Sequence, residues 1–224
     1  MKGSLSVARR EIRSAFNSPV AYILIGAFLV FTSVWLFVIQ AFFVRGKAEL
    51  SAWFALMPLV FCFLIPSVTM RSWAEERRLG TYELLLTLPF TEAELVIGKF
   101  LASLVVLGLA LLLSLGVPLS ISLVGRLDLG VLVSQYTGTL LMVAASIAIG
   151  EWVSSLAKNQ VSAFVGATLL LLLFVLVDKV GSFLQAQGLV ASLLNWLSLA
   201  FHNQGFARGV LDTRDLAFYL VLTT

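Results

Sequence analysis

The chain has 224 residues, of which 60% are hydrophobic and only 12% charged, and its mean hydropathy is +1.01. A soluble domain is about 45–50% apolar and about 25% charged, so this one has too little polar surface to face water all round, and a soluble enzyme is excluded. The net charge of +3 does not point to nucleic acid, because the basic residues flank apolar tracts and form no stripe interleaved with aromatics.

Residues 4–17 form the first predicted helix, with Leu5, Ala8, Ile12 and Phe16 on one face and Arg9, Arg10 and Arg13 elsewhere. That is the pattern of a surface helix whose arginines meet lipid phosphates or a partner. Asn17-Ser18-Pro19 ends it. Val20–Val44 follows without a charge. It exceeds the roughly 7–15 residues of a signal-peptide core and is expected to stay as a membrane span.

A span needs about 20 mostly apolar residues. Further spans are expected at Trp53–Met70, Leu95–Val124, Leu129–Gly150 and Val161–Val177, and a sixth starts near Leu216 and is cut short at Thr224. Their continuous apolar runs suit helices rather than alternating barrel strands. Pro58, Pro66 and Pro118 predict kinks. Thr91-Glu92-Ala93-Glu94 reads as a capping box, and Asp128 and Thr213 as caps of the fourth and sixth spans. Between the fifth and sixth spans, residues 179–213 read as short interfacial helices. Lone Cys62, inside the second span, excludes an intrachain disulfide and reads as a small buried apolar residue; no metal site is expected.

With the amino terminus in the cytoplasm, nine of the fifteen Lys and Arg fall inside, including the clusters Arg9-Arg10 with Arg13 and Arg77-Arg78. Three cytoplasmic features then stand out: the first helix, the polar segment Ser154–Gln160, and the charged segment 71–90. In the last, Glu75 and Arg78 are spaced to pair on a helix, and Leu84–Leu88 is an apolar run too short to cross the membrane.

Trp73-Ala74-Glu75-Glu76-Arg77-Arg78-Leu79-Gly80-Thr81-Tyr82-Glu83, the leucines to Pro89, and Gly98-Lys99-Phe100 together resemble the hallmark of ABC-2 type permeases, the membrane subunits of ATP-binding-cassette transporters. His202 to Asp215 and Tyr219 resemble the entry to the last span in the branch of gliding-motility and nitrous-oxide-reductase maturation permeases. The resemblance implies an all-α membrane fold of the type V exporter kind: six transmembrane helices, an amphipathic amino-terminal helix and a cytoplasmic coupling helix docked on an ATPase subunit. It carries that docking role to Trp73, Glu75, Glu76, Arg77, Gly80, Thr81 and Glu83, and a smaller second contact to Ser155, Lys158 and Asn159. It implies a dimer of ATPase subunits holding ATP and Mg, a second permease copy or related subunit, auxiliary periplasmic proteins, and residence in a bacterial inner membrane.

No Gly-x-x-x-x-Gly-Lys-Ser/Thr loop occurs, since Gly98-Lys99 is followed by Phe100, so the chain is expected to bind no nucleotide through that motif and to be no enzyme itself. Export and mechanical work are both compatible with such a subunit. On this reading Glu76→Lys, or a double change at Gly80 and Thr81, uncouples the ATPase without unfolding the spans. Rival readings are an ion-driven secondary transporter, an intramembrane enzyme and a membrane anchor that moves no substrate. The first needs ionisable residues at mid-membrane. Lys99, Glu151 and Asp178 lie at tract ends instead, with Glu151 the candidate for facing a pathway. The enzyme reading lacks a His or Asp partner for Ser103, Ser114 and Ser146 within the spans. His202 is a lone histidine, expected to be structural.

Overall fold

The computed structural model describes residues 2–40, 50–81, 90–123, 125, 127–183, 188–210 and 212–223. Glu83, Leu84–Leu88 and Pro89 lie outside the described residues.

Helix α1 (Lys2–Asn17) turns directly into α2 (Pro19–Val34), with Ser18 as the cap and proline at the first helical position. α2 widens into a π-helical turn at Trp35–Ile39. Ala21, Ile25, Phe28, Thr32 and Leu36 form its buried stripe. The indole N–H of Trp53, at the start of α3 (Ser51–Thr69), donates to the Thr32 carbonyl at 3.2 Å. This satisfies a buried donor and pins the two helices together. α3 runs through both Pro58 and Pro66 and buries Trp53, Phe54, Met57, Phe61 and Ile65.

A tight turn leads to α4 (Ala74–Leu79), and α5 (Glu92–Leu113) follows. The expected capping box forms: Thr91 Oγ1 accepts from Glu94 N at 3.3 Å, and Thr91 N donates to Glu94 Oε2 at 3.4 Å. The third tract is not one helix. It breaks at Ser114-Leu115 and resumes as α6 (Gly116–Ser122). Pro118 has no N–H for the Ser114 carbonyl four residues back, and that carbonyl bonds Val117 N instead, at 3.0 Å.

Asp128 caps α7 (Leu129–Leu156) through Gly130 N at 2.9 Å. α8 (Gln160–Phe183), α9 (Leu189–Leu197), α10 (Leu199–Ala207) and α11 (Thr213–Thr223) complete the order. The cap of α11 is Asp212, whose Oδ1 accepts Arg214 N at 2.9 Å, and not Thr213, which is the first helical residue. The aspartate carboxylate, one position earlier, reaches the N–H that needs a partner.

α7 is the central helix, packed by α3, α5, α8, α10 and α11. Small residues set its crossings. A Cβ added at Gly138 would run into the Phe206 ring of α10, and one at Gly150 would lie 2.6 Å from Thr69 Oγ1 of α3. Among the described residues five helical stretches are long and apolar enough to cross a membrane: Pro19–Ile39, Ser51–Leu79, Glu92–Ser122, Leu129–Leu156 and Gln160–Phe183. Leu112, Val133, Leu169 and many like them remain exposed on their outer faces, which is where lipid tails contact a span.

α1 does not lie apart on a surface. It packs along α5, with Ser4, Val7 and Ala8 buried and Leu5 63% exposed. The contact face is thus rotated from the one read in the sequence. The cause is Gly98 on α5, where an added Cβ would sit 2.7 Å from the Val7 Cβ. That gap selects the Val7 side of α1 for the contact.

Candidate functional site: the charged elbow

The site begins where α3 ends. Thr69 O accepts Ser72 N at 3.0 Å, closing the turn that swings the chain into α4. The opening N–H groups of a helix have no partner within it. Here Trp73 N and Ala74 N both donate to Ser154 Oγ on α7, at 3.2 and 3.3 Å. A hydroxyl from a distant helix therefore caps the elbow. At its other end Gly80 adopts φ 69°, with Gly80 N bonded to Arg77 O at 3.2 Å and Thr81 N to Glu76 O at 3.0 Å. This is a Schellman stop, which needs the left-handed conformation that glycine adopts without strain.

Lys99 of α5 closes the arrangement. It is 2% exposed, and its Nζ donates to Ser72 O at 2.6 Å and to Glu76 Oε1 at 2.7 Å. Glu11 Oε1 of α1 lies 3.7 Å away, and the Trp73 ring centroid 4.8 Å. Arg10 reaches the same carboxylates, at 2.7 Å from Glu11 and 3.9 Å from Glu76. Burying an ammonium costs several kcal/mol unless charge and hydrogen bonds compensate; two acceptors, a second carboxylate and an aromatic face do so here. Val7, Trp73, Leu95 and Phe90 pack beside it as a small apolar cluster. Thus α1, α4 and α5 are held together by one lysine.

The residues singled out in the sequence divide into two sets. Trp73 is buried, and Glu76 turns one oxygen inward to Lys99. Arg77, Gly80 and Thr81 are exposed, as are Arg78 and Leu79. Glu75 is half-buried, with one oxygen 3.9 Å from Arg78. Since Glu76 belongs to the internal clamp, Glu76→Lys would place a second ammonium against Lys99; it is a structural change and not the clean surface change expected from sequence. Ser155, Lys158 and Asn159 come one, four and five positions after Ser154, at the end of α7 that meets the elbow. Asn159 Oδ1 caps α8 through Ser162 N at 2.9 Å, Ser155 donates to Trp152 O, and Lys158 is exposed. Arg9, Arg10 and Arg13 are exposed on α1, and of these Arg10 joins the elbow.

Glu151 lies one turn before Ser154 and is 5% exposed. Its Oε1 accepts from Ser103 at 3.1 Å, whereas Oε2 is buried with no hydrogen-bond partner among the described residues. It lines a groove of about 1230 Å³ bounded by α5, α7, α8 and the end of α11, with Phe100, Trp152 and Phe174 in its walls.

His202, a lone histidine in the sequence, has partners in space. Its Nδ1 lies 2.6 Å from Asp215 Oδ1 and its Nε2 3.0 Å from Trp196 O, and its ring stacks on Phe218 at 4.0 Å. It ties α9, α10 and α11 together. Among the described residues no three of His, Cys, Asp and Glu are grouped to hold a metal.

Sequence reading missed Ser154, Ser72, Glu11 and Ser103 as members of these networks. The available signal was Lys99 itself: a lysine inside an apolar helix must find acceptors, though nothing in the sequence says which.

Five spanning-length helical stretches, with α7 the central one, and charge gathered into an elbow at one end define a multi-pass helical membrane protein. Residues 5–199 match the family described as ABC-2 family transporter protein, and the chain belongs to that family. Comparison with curated proteins gives no match. Members of the family are typically non-catalytic membrane subunits and generally partner with an ABC ATPase.

Proposed function

We propose that this chain is the permease subunit of an ABC transporter in a bacterial inner membrane, and that the elbow transmits work from an ATPase dimer to the helices. The observation that carries this reading is the division of the elbow: its inner residues are tied to α1, α5 and α7 through Lys99 and Ser154, and Arg77 to Thr81 are left exposed. A partner that seats on the exposed side moves three helices at once.

In this mechanism ATP and Mg reside in the partner, and the chain contributes no catalytic group. Closure of the ATPase dimer displaces α4. The ties to α5 and α7 pass that displacement on as near-rigid tilts, shifting the permease between inward-open and outward-open states. Ser155, Lys158 and Asn159 give the partner a second, smaller footing. The amino terminus and the elbow lie in the cytoplasm, α11 belongs to a sixth span, and two permease subunits frame the pathway. The resemblance of the His202–Asp215 stretch to gliding-motility and nitrous-oxide-maturation permeases supports an output of export or mechanical work assisted by auxiliary periplasmic proteins.

Two measurements test this. Arg77→Glu combined with Leu79→Asp changes only exposed elbow residues, and is expected to weaken co-purification of an ABC ATPase in mild detergent about tenfold or more, with the melting temperature unchanged. Thr81→Cys adds an exposed thiol to a chain whose native Cys62 is buried; it is expected to react with an impermeant maleimide only from the cytoplasmic side. Labelling from outside, or full ATPase retention by the double variant, overturns the reading.

A further inference from the structure

Where α1 turns into α2, a cavity of about 360 Å³ opens between those helices, the end of α3, and α5. Its walls divide by chemistry. Leu24, Ala102 and Val106 give it apolar surface. Ser14, Ser72 and Arg71 bring donors. Glu11 and Glu75 bring carboxylates.

Several of these groups are unengaged among the described residues. Arg71 makes no ion pair. The Ser72 hydroxyl is buried with no hydrogen-bond partner. Glu75 reaches only Arg78, at 3.9 Å. Glu11 uses Oε1 for both Arg10 and Lys99, leaving Oε2. Lys99 also lines the cavity, but its ammonium is spent on Ser72 O and Glu76; the remaining guanidinium and two carboxylates suit a ligand that carries both charges. A purely anionic group would meet the carboxylates at a cost, and a trimethylammonium has no N–H to give them. The joint between the arginine-bearing α1 and the start of a span is expected at headgroup depth.

We propose that this cavity binds a phosphate–ammonium group of the ethanolamine type, presented by a phospholipid of the cytoplasmic leaflet. The phosphate lies against Arg71 with the Ser14 and Ser72 hydroxyls, as guanidinium groups favour. The ammonium lies against Glu11 and Glu75. The glycerol and first methylenes face Leu24 and Val106. Because Glu11 and Ser72 also meet Lys99, the bound headgroup abuts the clamp. This inference rests on α2 being a span and on the proposed cytoplasmic amino terminus, and is independent of the ATPase reading.

The test uses the full chain in nanodiscs with equal amounts of phosphatidylethanolamine, phosphatidylglycerol and phosphatidylcholine of matched acyl chains. After exchange into mild detergent, retained lipid is counted by mass spectrometry. Phosphatidylethanolamine is expected to be retained about tenfold over the other two. Arg71→Gln abolishes that preference. Ser14→Trp, made at an exposed position on the cavity rim, does the same with no change in melting temperature. Soluble O-phosphoethanolamine displaces the retained lipid, and glycerophosphate does not. Equal retention of the three lipids, a preference for phosphatidylglycerol, equal competition by glycerophosphate, or a preference that survives both substitutions overturns the proposal.

Discussion

At the residue scale Lys99 decides the most. Gly98-Lys99 was legible as a motif, but its work was not, because the partners of Lys99 stand 27 and 23 positions away at Ser72 and Glu76, with Glu11 on another helix. Sequence reading sees a lysine near a tract end; only the fold supplies three helices converging on it. Removing one member of a buried ion pair costs about 3–5 kcal/mol, and Glu76 at 15% exposed is screened in part by water. Lys99→Met is therefore expected to cost about 3 kcal/mol, read as a lower melting temperature in detergent. Lys99→Met with Glu76→Gln should recover part of that loss, since it removes the stranded charge. A single variant as stable as the native chain would show that the clamp holds nothing.

At the scale of elements, the local signals were readable and the distant ones were not. The Thr91–Glu94 box and the Asp128 cap were visible because capping couples residues two or three apart. The start of α4 has no such local cap. Its N–H groups go to Ser154, 81 and 80 positions away, and no window along the chain could find that pairing. The inner face of α1 was misjudged for a related reason: hydrophobicity marks Leu5, but the groove at Gly98 accepts Val7. Gly98→Leu is expected to force α1 off α5, since even a Cβ there comes within 2.7 Å of Val7 and 2.9 Å of Ser4 O. Limited proteolysis should then cut within residues 2–17 several-fold faster while the spans stay folded. Unchanged protection of that segment would contradict the packing described.

At the scale of the whole molecule, hydropathy located the five spanning helices, because apolar length is a property of composition. The break between α5 and α6 was less visible, since the sequence stays apolar through Ser114-Leu115 and only Pro118 hints at it. The central place of α7 was not visible at all, because it depends on which helix offers small residues to which neighbour. Gly138 is the sharpest case. Next to it Ser134 donates to Phe206 O at 3.2 Å, and Gln135 to Ala207 O at 2.9 Å, and a larger residue at 138 would push α10 away from both. Gly138→Val is expected to cost about 1–3 kcal/mol as overpacking. Hydrogen exchange should rise across α9, α10 and α11, with the elbow unchanged. A rise spread evenly over the chain would instead mark α7 as a general scaffold whose crossings are not separable.

The stitching of α1 to the elbow has a practical corollary. A fluorophore hung from exposed Ser6 becomes a passenger on the charged joint, carried by Arg10, Glu11 and Lys99. On the coupling proposed above, its depth in the headgroup layer would follow each step of an ATPase-driven cycle in real time, while the exposed face from Arg77 to Thr81 stays bare.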